Sequence, residues 1–192
     1  MATNLIDQVN KMMGTPLTEK ENPVPAENQK RERTLDGAAV PAALAGIYHL
    51  AATKEGASMI LDHLRNHRQD IENHNTGICA DFTFGNTTRE VADKISNYAG
   101  TSTEAAYDEL NEAARFGYRV MMQEISNDKL TAEDITKYMV AQRHSILAHL
   151  PEELHLGHLL GDETIDDVSN KMEGPISNLI HKLGESFSSS PR

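Results

Sequence analysis

Two histidines one helical turn apart are the side chains whose type and spacing best suit chemistry in this sequence. His63 and His67 occupy positions i and i+4 of a predicted helix, so both imidazoles lie on one face. Imidazole nitrogen is a common ligand of zinc, and a carboxylate from Asp62 or Asp70 could add an oxygen ligand. The spacing therefore predicts a metal site at His63 and His67.

The same two histidines also suit an ordinary structural role. They border an apolar stripe with helical spacing, which consists of Ile60, Leu64 and Ile71, with Met59 expected on the same side. Histidines in such positions are commonly partly buried packing residues. Metal or cofactor binding at His63 and His67 is therefore the alternative function, and the sequence requires no resident cofactor.

Other reactive side chains do not form a recognisable catalytic set. Cys79 lies near His74 in a predicted loop, but no Asn or Asp is placed to orient that histidine. A second group of histidines consists of His144, His149, His155 and His158. It contains one Glu-x-x-His step, Glu152 to His155, whereas di-iron bundles need two. Phosphate-binding loops, hydrolase elbows and His-Glu-x-x-His helices are absent from the sequence, which favours a non-enzymatic protein.

Charge and composition exclude several further classes of protein. The 192 residues include 18 Lys and Arg against 29 Asp and Glu, a net charge of −11, which disfavours binding to nucleic acid or anionic lipid. A single cysteine excludes an intramolecular disulfide. No apolar run approaches the ~20 residues of a membrane span, and the first residues do not resemble a signal peptide. We therefore expect a soluble, cytoplasmic protein without a membrane span or a nucleic-acid partner.

The elements that must position these residues are predicted to be helices throughout. Apolar spacing and capping residues predict helices over residues 4–13, 35–51, 55–67, 88–99, 103–125, from 132 to the break at Pro151, 163–172 and 175–184. Gly14 and Gly100 are predicted C-terminal stops, and Pro41 is expected either to kink its helix or to begin a new one. Thr87 or Thr88, Thr101 or Ser102, and Thr131 are the predicted N-caps. Residues 73–86 are predicted to form a loop.

Similar segments recur in the same order along the chain, which predicts a degenerate internal duplication. The paired segments are Leu5–Val9 with Val91–Ile95, Ala42–Ile47 with Ala113–Tyr118, and Leu64–Ile71 with Met139–Ile146. Neither half is expected to bury its apolar faces alone, so the two halves should share one core. The predicted architecture is a single compact all-α domain over residues 1–161, with an inserted linker at 15–33 and a C-terminal helical extension at 162–192.

Three motifs in this region follow one another in a fixed order. They are Ala38-Ala39-Val40-Pro41-Ala42-Ala43-Leu44-Ala45-Gly46 with Lys54-Glu55-Gly56-Ala57, then Arg89-Glu90-Val91-Ala92-Asp93-Lys94-Ile95, and then Leu130-Thr131-x-x-Asp134-Ile135 with Gln142-Arg143-x-x-Ile146. Together they resemble the YidB-like family, the bacterial domain of unknown function 937. The resemblance implies a multihelical fold and a family without an assigned reaction, so it supplies no catalytic residues. The envelope role of some relatives is not expected to transfer.

These observations predict a non-enzymatic protein-interaction or structural module. Its expected partner is an unidentified protein or a second copy of the chain, because methionines near the apolar stripes could supply an adaptable contact surface.

Overall fold

The computed structural model describes residues 4–14, 33–72, 78–125 and 130–166, and helices make up all the regular secondary structure in these ranges. The α-helices are α1 (Leu5–Met13), α2 (Leu35–Ala51), α3 (Lys54–Asn66), α4 (Arg68–Glu72), α5 (Cys79–Phe84), α6 (Thr88–Ala99), α7 (Thr103–Glu124), α8 (Ala132–His149) and α9 (Leu156–Leu160). Short 3-10 helices lie at Gly85–Thr87, Glu152–Leu154 and Glu163–Ile165. The helices pack around one core, so the predicted all-α single domain is confirmed.

Helix α2 lies at the centre of the core. Every residue from Ala38 to Ile47 is buried, and α1, α3, α6, α7 and α8 pack around the helix. A helix that is apolar on all sides is stable only when neighbours cover all of its faces. The Ala-rich sequence of α2 meets this requirement because small side chains let several helices approach at once.

Helix α2 continues through Pro41, so a second helix does not begin there. Proline removes one backbone donor and crowds the carbonyl four residues earlier, which here belongs to Gly37. The burial of Pro41 among packed helices holds this turn in place.

Glycine allows α7 to approach α2 closely. A Cβ atom on Gly117 would lie 2.8 Å from Leu44 Cδ2 and 3.0 Å from Ile47 Cδ1. Gly46 of α2 lies even closer to α5, because a Cβ atom there would lie 2.3 Å from the Phe84 ring. The glycines of the two Ala-Ala-x-x-Gly motifs, Gly46 and Gly117, therefore permit close packing of helices.

Most helix ends follow the local sequence signals. Asn4 caps α1, and Gly14 and Gly100 end α1 and α6 in left-handed conformations. Ser102 rather than Thr101 caps α7, and Thr131 forms a reciprocal capping box with Asp134 at the start of α8.

Two predictions about residues 78–88 are wrong. The predicted loop contains α5 and the following 3-10 helix, while residues 73–77 lie outside the described residues. Thr87 occupies the N-cap position of α6, but the predicted capping hydrogen bond does not form, because the hydroxyls of Thr87 and Thr88 donate instead to the carbonyls of Phe84 and Gly85. Both errors arise where neighbouring turns determine the hydrogen bonds.

The duplication remains a prediction, although its first two helix pairs have related surroundings. Helices α1 and α6 each end at a left-handed glycine, α1 packs against α7, and α6 packs against α2. The third pair differs because Met139–Ile146 lies within the single helix α8, whereas Leu64–Ile71 spans the break between α3 and α4.

The described part of the predicted extension is held against the domain. Asp166 accepts hydrogen bonds from the amides of Gly157 and His158 at 2.9 and 3.0 Å, and Ile165 is buried. Residues 163–165 form a 3-10 helix, whereas the rest of the helices predicted over 163–172 and 175–184 lies outside the described residues. Apart from Arg33, so does the predicted linker at 15–33.

No single helix within the described ranges is long and apolar enough to cross a membrane. Helices α2 and α3 reach the required length and composition only together, and they are bent by 117° at their junction.

Candidate functional site

His63 lies on the buried face of α3 and stacks on an aromatic ring from another helix. Its imidazole is parallel to the Phe82 ring, with the centroids 3.9 Å apart and an interplanar angle of 5°. The centroid of the Tyr118 ring lies 5.4 Å away on α7. Only 6% of His63 is exposed, and its Nε2 atom has no hydrogen-bond partner within the described part of the chain.

His67 ends α3 and lies at the boundary between the core and solvent. Its ring centroid is 4.9 Å from that of His63, and its Nδ1 atom is 3.4 Å from Asp70 Oδ2. The side chain is 40% exposed. The two rings are therefore adjacent, as the spacing predicts, although His67 is the C-cap of α3 rather than a residue within the helix. Asp70 lies beside His67.

Burial keeps the His63 ring neutral at physiological pH. Loss of hydration and, as a smaller cause, the charge of the nearby His67 ring together lower the pKa of His63 to about 4. A neutral imidazole retains a nitrogen lone pair, which a metal ligand or a hydrogen-bond acceptor needs.

A buried hydrogen-bond chain lies next to the aromatic rings. The Thr83 hydroxyl is 2.8 Å from the Tyr118 hydroxyl and donates to the Cys79 carbonyl at 2.7 Å. Burial raises the pKa of Tyr118, so its hydroxyl stays protonated. The contact between Thr83 and Tyr118 connects α5 to α7, and the Tyr118 ring also packs edge-on against Phe82.

Cys79 is fully buried at the start of α5 rather than exposed on a loop. A nucleophilic thiol must be reached by its substrate, so this placement does not favour the cysteine hypothesis. His74, its suggested partner, lies outside the described residues.

The second histidine group does not converge on one point. Across residues 4–14, 33–72, 78–125 and 130–166, no three His, Cys, Asp or Glu side chains are arranged to hold a metal ion. His149 Nδ1 instead contacts the Ser145 carbonyl at 2.8 Å. His155 adopts a left-handed conformation between the 3-10 helix and α9.

A cluster of carboxyl groups was not foreseen from the sequence. We define the carboxyl cluster as Asp36 at the start of α2 together with Glu109 and Glu112 on α7. Burial raises the pKa of Glu109 to about 7, as do the charge and hydrogen bond of Asp36 and the charge of Glu112. Glu109 is therefore about half protonated near neutral pH.

One buried cation borders the carboxyl cluster. Arg115 is 1% exposed, forms an ion pair with Glu112 and donates to the Ile71 carbonyl at 3.0 Å. Its position joins the end of α4 to α7. The sequence indicates the ion pair of Glu112 with Arg115, because the two residues are three positions apart on one helix. The contact between Glu109 and Asp36 depends on the packing of α2 against α7, and no local sequence pattern predicts it.

No protein-family model matches this chain, and comparisons with curated proteins and with solved structures returned no match. The resemblance to the YidB-like family therefore remains a prediction that depends on its motifs alone.

Proposed function

We propose that this chain is a non-enzymatic protein-interaction module that binds a basic segment of a partner protein at the carboxyl cluster. The observation that carries the proposal is the hydrogen-bonded pair of Asp36 and Glu109, with Glu112 beside it. All three residues are partly exposed, so a partner can reach them.

Like charges held together at low hydration raise the free energy of the unbound surface. A Lys or Arg side chain from a partner would remove this repulsion and let Glu109 ionise. Perturbed carboxyl groups concentrate at functional surfaces for this reason. The cluster therefore favours a cationic partner over a second copy of the same acidic surface.

The overall charge of the protein supports the same kind of partner. The described residues hold 21 Asp and Glu against 11 Lys and Arg, a net charge of −10. A potential of this sign accelerates the approach of a basic partner and repels acidic molecules. The cluster would then determine where on this surface the partner binds.

An Arg-rich peptide is a suitable probe, with its affinity measured by fluorescence anisotropy on the full chain. We expect the double variant Asp36→Asn/Glu109→Gln to weaken peptide binding by about tenfold or more, because both acidic groups lose their charge. The matched control is Glu55→Gln/Asp62→Asn, which removes the same number of acidic groups and also neutralises one carboxylate in the first turn of a helix. We expect the control to weaken binding less than about threefold.

The pH dependence separates site binding from attraction by net charge. Affinity for the peptide should rise between pH 6 and pH 8 as Glu109 loses its proton, and Glu109→Gln should abolish that rise. Equal weakening by the two double variants, or an unchanged pH profile in Glu109→Gln, would contradict the proposal.

A further inference from the structure

We propose that His63 and His67 together bind one divalent transition-metal ion of the zinc class. Water would complete the coordination, since within the described ranges no third His, Cys, Asp or Glu is arranged with them around a metal. The proposal is independent of the carboxyl cluster, which lies on α2 and α7 rather than on α3.

The separation of the two rings fits chelation of one ion. With a metal–nitrogen distance of about 2.1 Å and a ring nitrogen about 1.1 Å from its centroid, each centroid lies about 3.2 Å from the metal. Ligand angles between octahedral and tetrahedral values then place two centroids about 4.5 to 5.2 Å apart. The observed separation of 4.9 Å lies within this interval.

The buried nitrogen of His63 gives an independent reason for a ligand. A polar atom without a partner in the interior is costly, and a missing ion or water is one of its standard explanations. A bound metal would satisfy the Nε2 lone pair without adding a protein group.

Asp70 occupies the place of a supporting group for His67. Metal-bound histidines commonly donate their second ring N–H to a carboxylate, which fixes the tautomer. The contact between His67 Nδ1 and Asp70 Oδ2 would leave Nε2 of His67 for the metal. The exposed part of the His67 side chain would admit the ion and its water ligands.

Phe82 would stabilise the metal-bound form by stacking on the His63 ring. Its ring lies flat against His63, so the His63 ring is held in one orientation before the metal arrives. Coordination makes an imidazole electron-poor, which strengthens its attraction to the face of an aromatic ring.

Zinc titrations of the full chain at pH 7.5, followed by calorimetry, test the proposal. We expect one site whose dissociation constant rises by about tenfold or more in His67→Gln and also in His63→Phe, which retains the stacking shape. His144→Gln is the matched control, because it removes an exposed helical histidine elsewhere. It should leave the dissociation constant unchanged.

A spectroscopic measurement excludes effects on folding. In the wild-type protein, zinc should shift the ring nitrogen resonances of His63 and His67 together, while Mg²⁺ should shift neither, since it prefers oxygen ligands. Equal zinc affinity in His67→Gln and the wild type would overturn the proposal, as would zinc-induced shifts confined to other histidines.

Discussion

At the scale of single residues, His63 combines a ring that suits the core with a nitrogen that does not. Its folded-state pKa of about 4 is lower than the ordinary value of 6.5. The unfolded chain therefore binds more protons between these values, so stability that is present above pH 6.5 is lost as the pH falls toward 4. We expect urea unfolding curves to show this loss, with a slope of up to about 1.4 kcal/mol per pH unit. His63→Phe should remove that part of the slope.

Glu109 contributes a pH dependence of the opposite sign to the free energy of unfolding measured in the same experiment. Its folded-state pKa is raised from 4.5 to about 7, so its contribution is present below pH 4.5 and is lost as the pH rises toward 7. The slopes from His63 and Glu109 therefore oppose each other between about pH 4.5 and 6.5. In Glu109→Gln the free energy of unfolding should rise more steeply with pH than in the wild type. An unchanged profile in His63→Phe would show that the pKa of His63 is the same in the folded and the unfolded chain.

The sequence predicts the His63 and His67 pair because helical spacing alone sets their relation. It does not predict Phe82 as the stacking partner of His63, because α5 was expected to be a loop. Nor does it predict Asp36 beside Glu109, since the two residues meet only when α2 and α7 pack. Local spacing thus identifies the histidine pair, whereas tertiary packing sets the accessibility of each ring and the pKa of His63.

At the scale of elements, α5 depends on α7 for its first turn. The side-chain oxygen of Asn111 accepts hydrogen bonds from the amides of Cys79 and Ala80 at 3.0 and 3.1 Å. Helix α5 has no side-chain N-cap of its own, so Asn111 performs that function from another helix. This explains why the local sequence indicated a loop over residues 73–86.

Replacing Asn111 should therefore release α5 selectively. Asn111→Ala leaves two buried amides without their acceptor, and we expect a loss of about 1–3 kcal/mol in the free energy of unfolding. Amide hydrogen exchange should accelerate in residues 79–84 more than in α6. Asn97→Ala on the exposed side of α6 is the control and should change both measurements little. Equal acceleration of hydrogen exchange in α5 and α6 would contradict the local role of Asn111 in holding α5.

The helices with their own caps were predicted more accurately. Helix α2 begins and ends at the predicted residues, and Thr131 caps α8 through contacts that lie within four residues of sequence. Met59 shows where a stripe misleads: it is 53% exposed although it was placed beside Ile60 on the apolar side. Periodicity identifies a helix well, but it fixes the buried edge of that helix only to within about one residue.

At the scale of the whole molecule, like charges surround an apolar core. The described helices hold almost all of the acidic excess, and several of their ion pairs are exposed, such as Arg89 with Glu104 and Lys137 with Glu133. Exposed pairs contribute little to stability and weaken with salt. The excess of acidic over basic side chains, by contrast, produces a general repulsion that salt weakens.

The sign of the salt dependence follows from this comparison. Raising sodium chloride from about 0.05 to 0.5 M shortens the screening length severalfold, and we expect the free energy of unfolding to increase because repulsion between carboxylates falls more than the attraction of exposed pairs. The ion pair between buried Arg115 and partly exposed Glu112 is screened less than the exposed pairs. Glu55→Lys/Asp62→Lys makes the protein less acidic and should reduce the salt dependence. A stability that decreases with salt would mean that the ion pairs, rather than the net charge, dominate the electrostatic free energy of the folded chain.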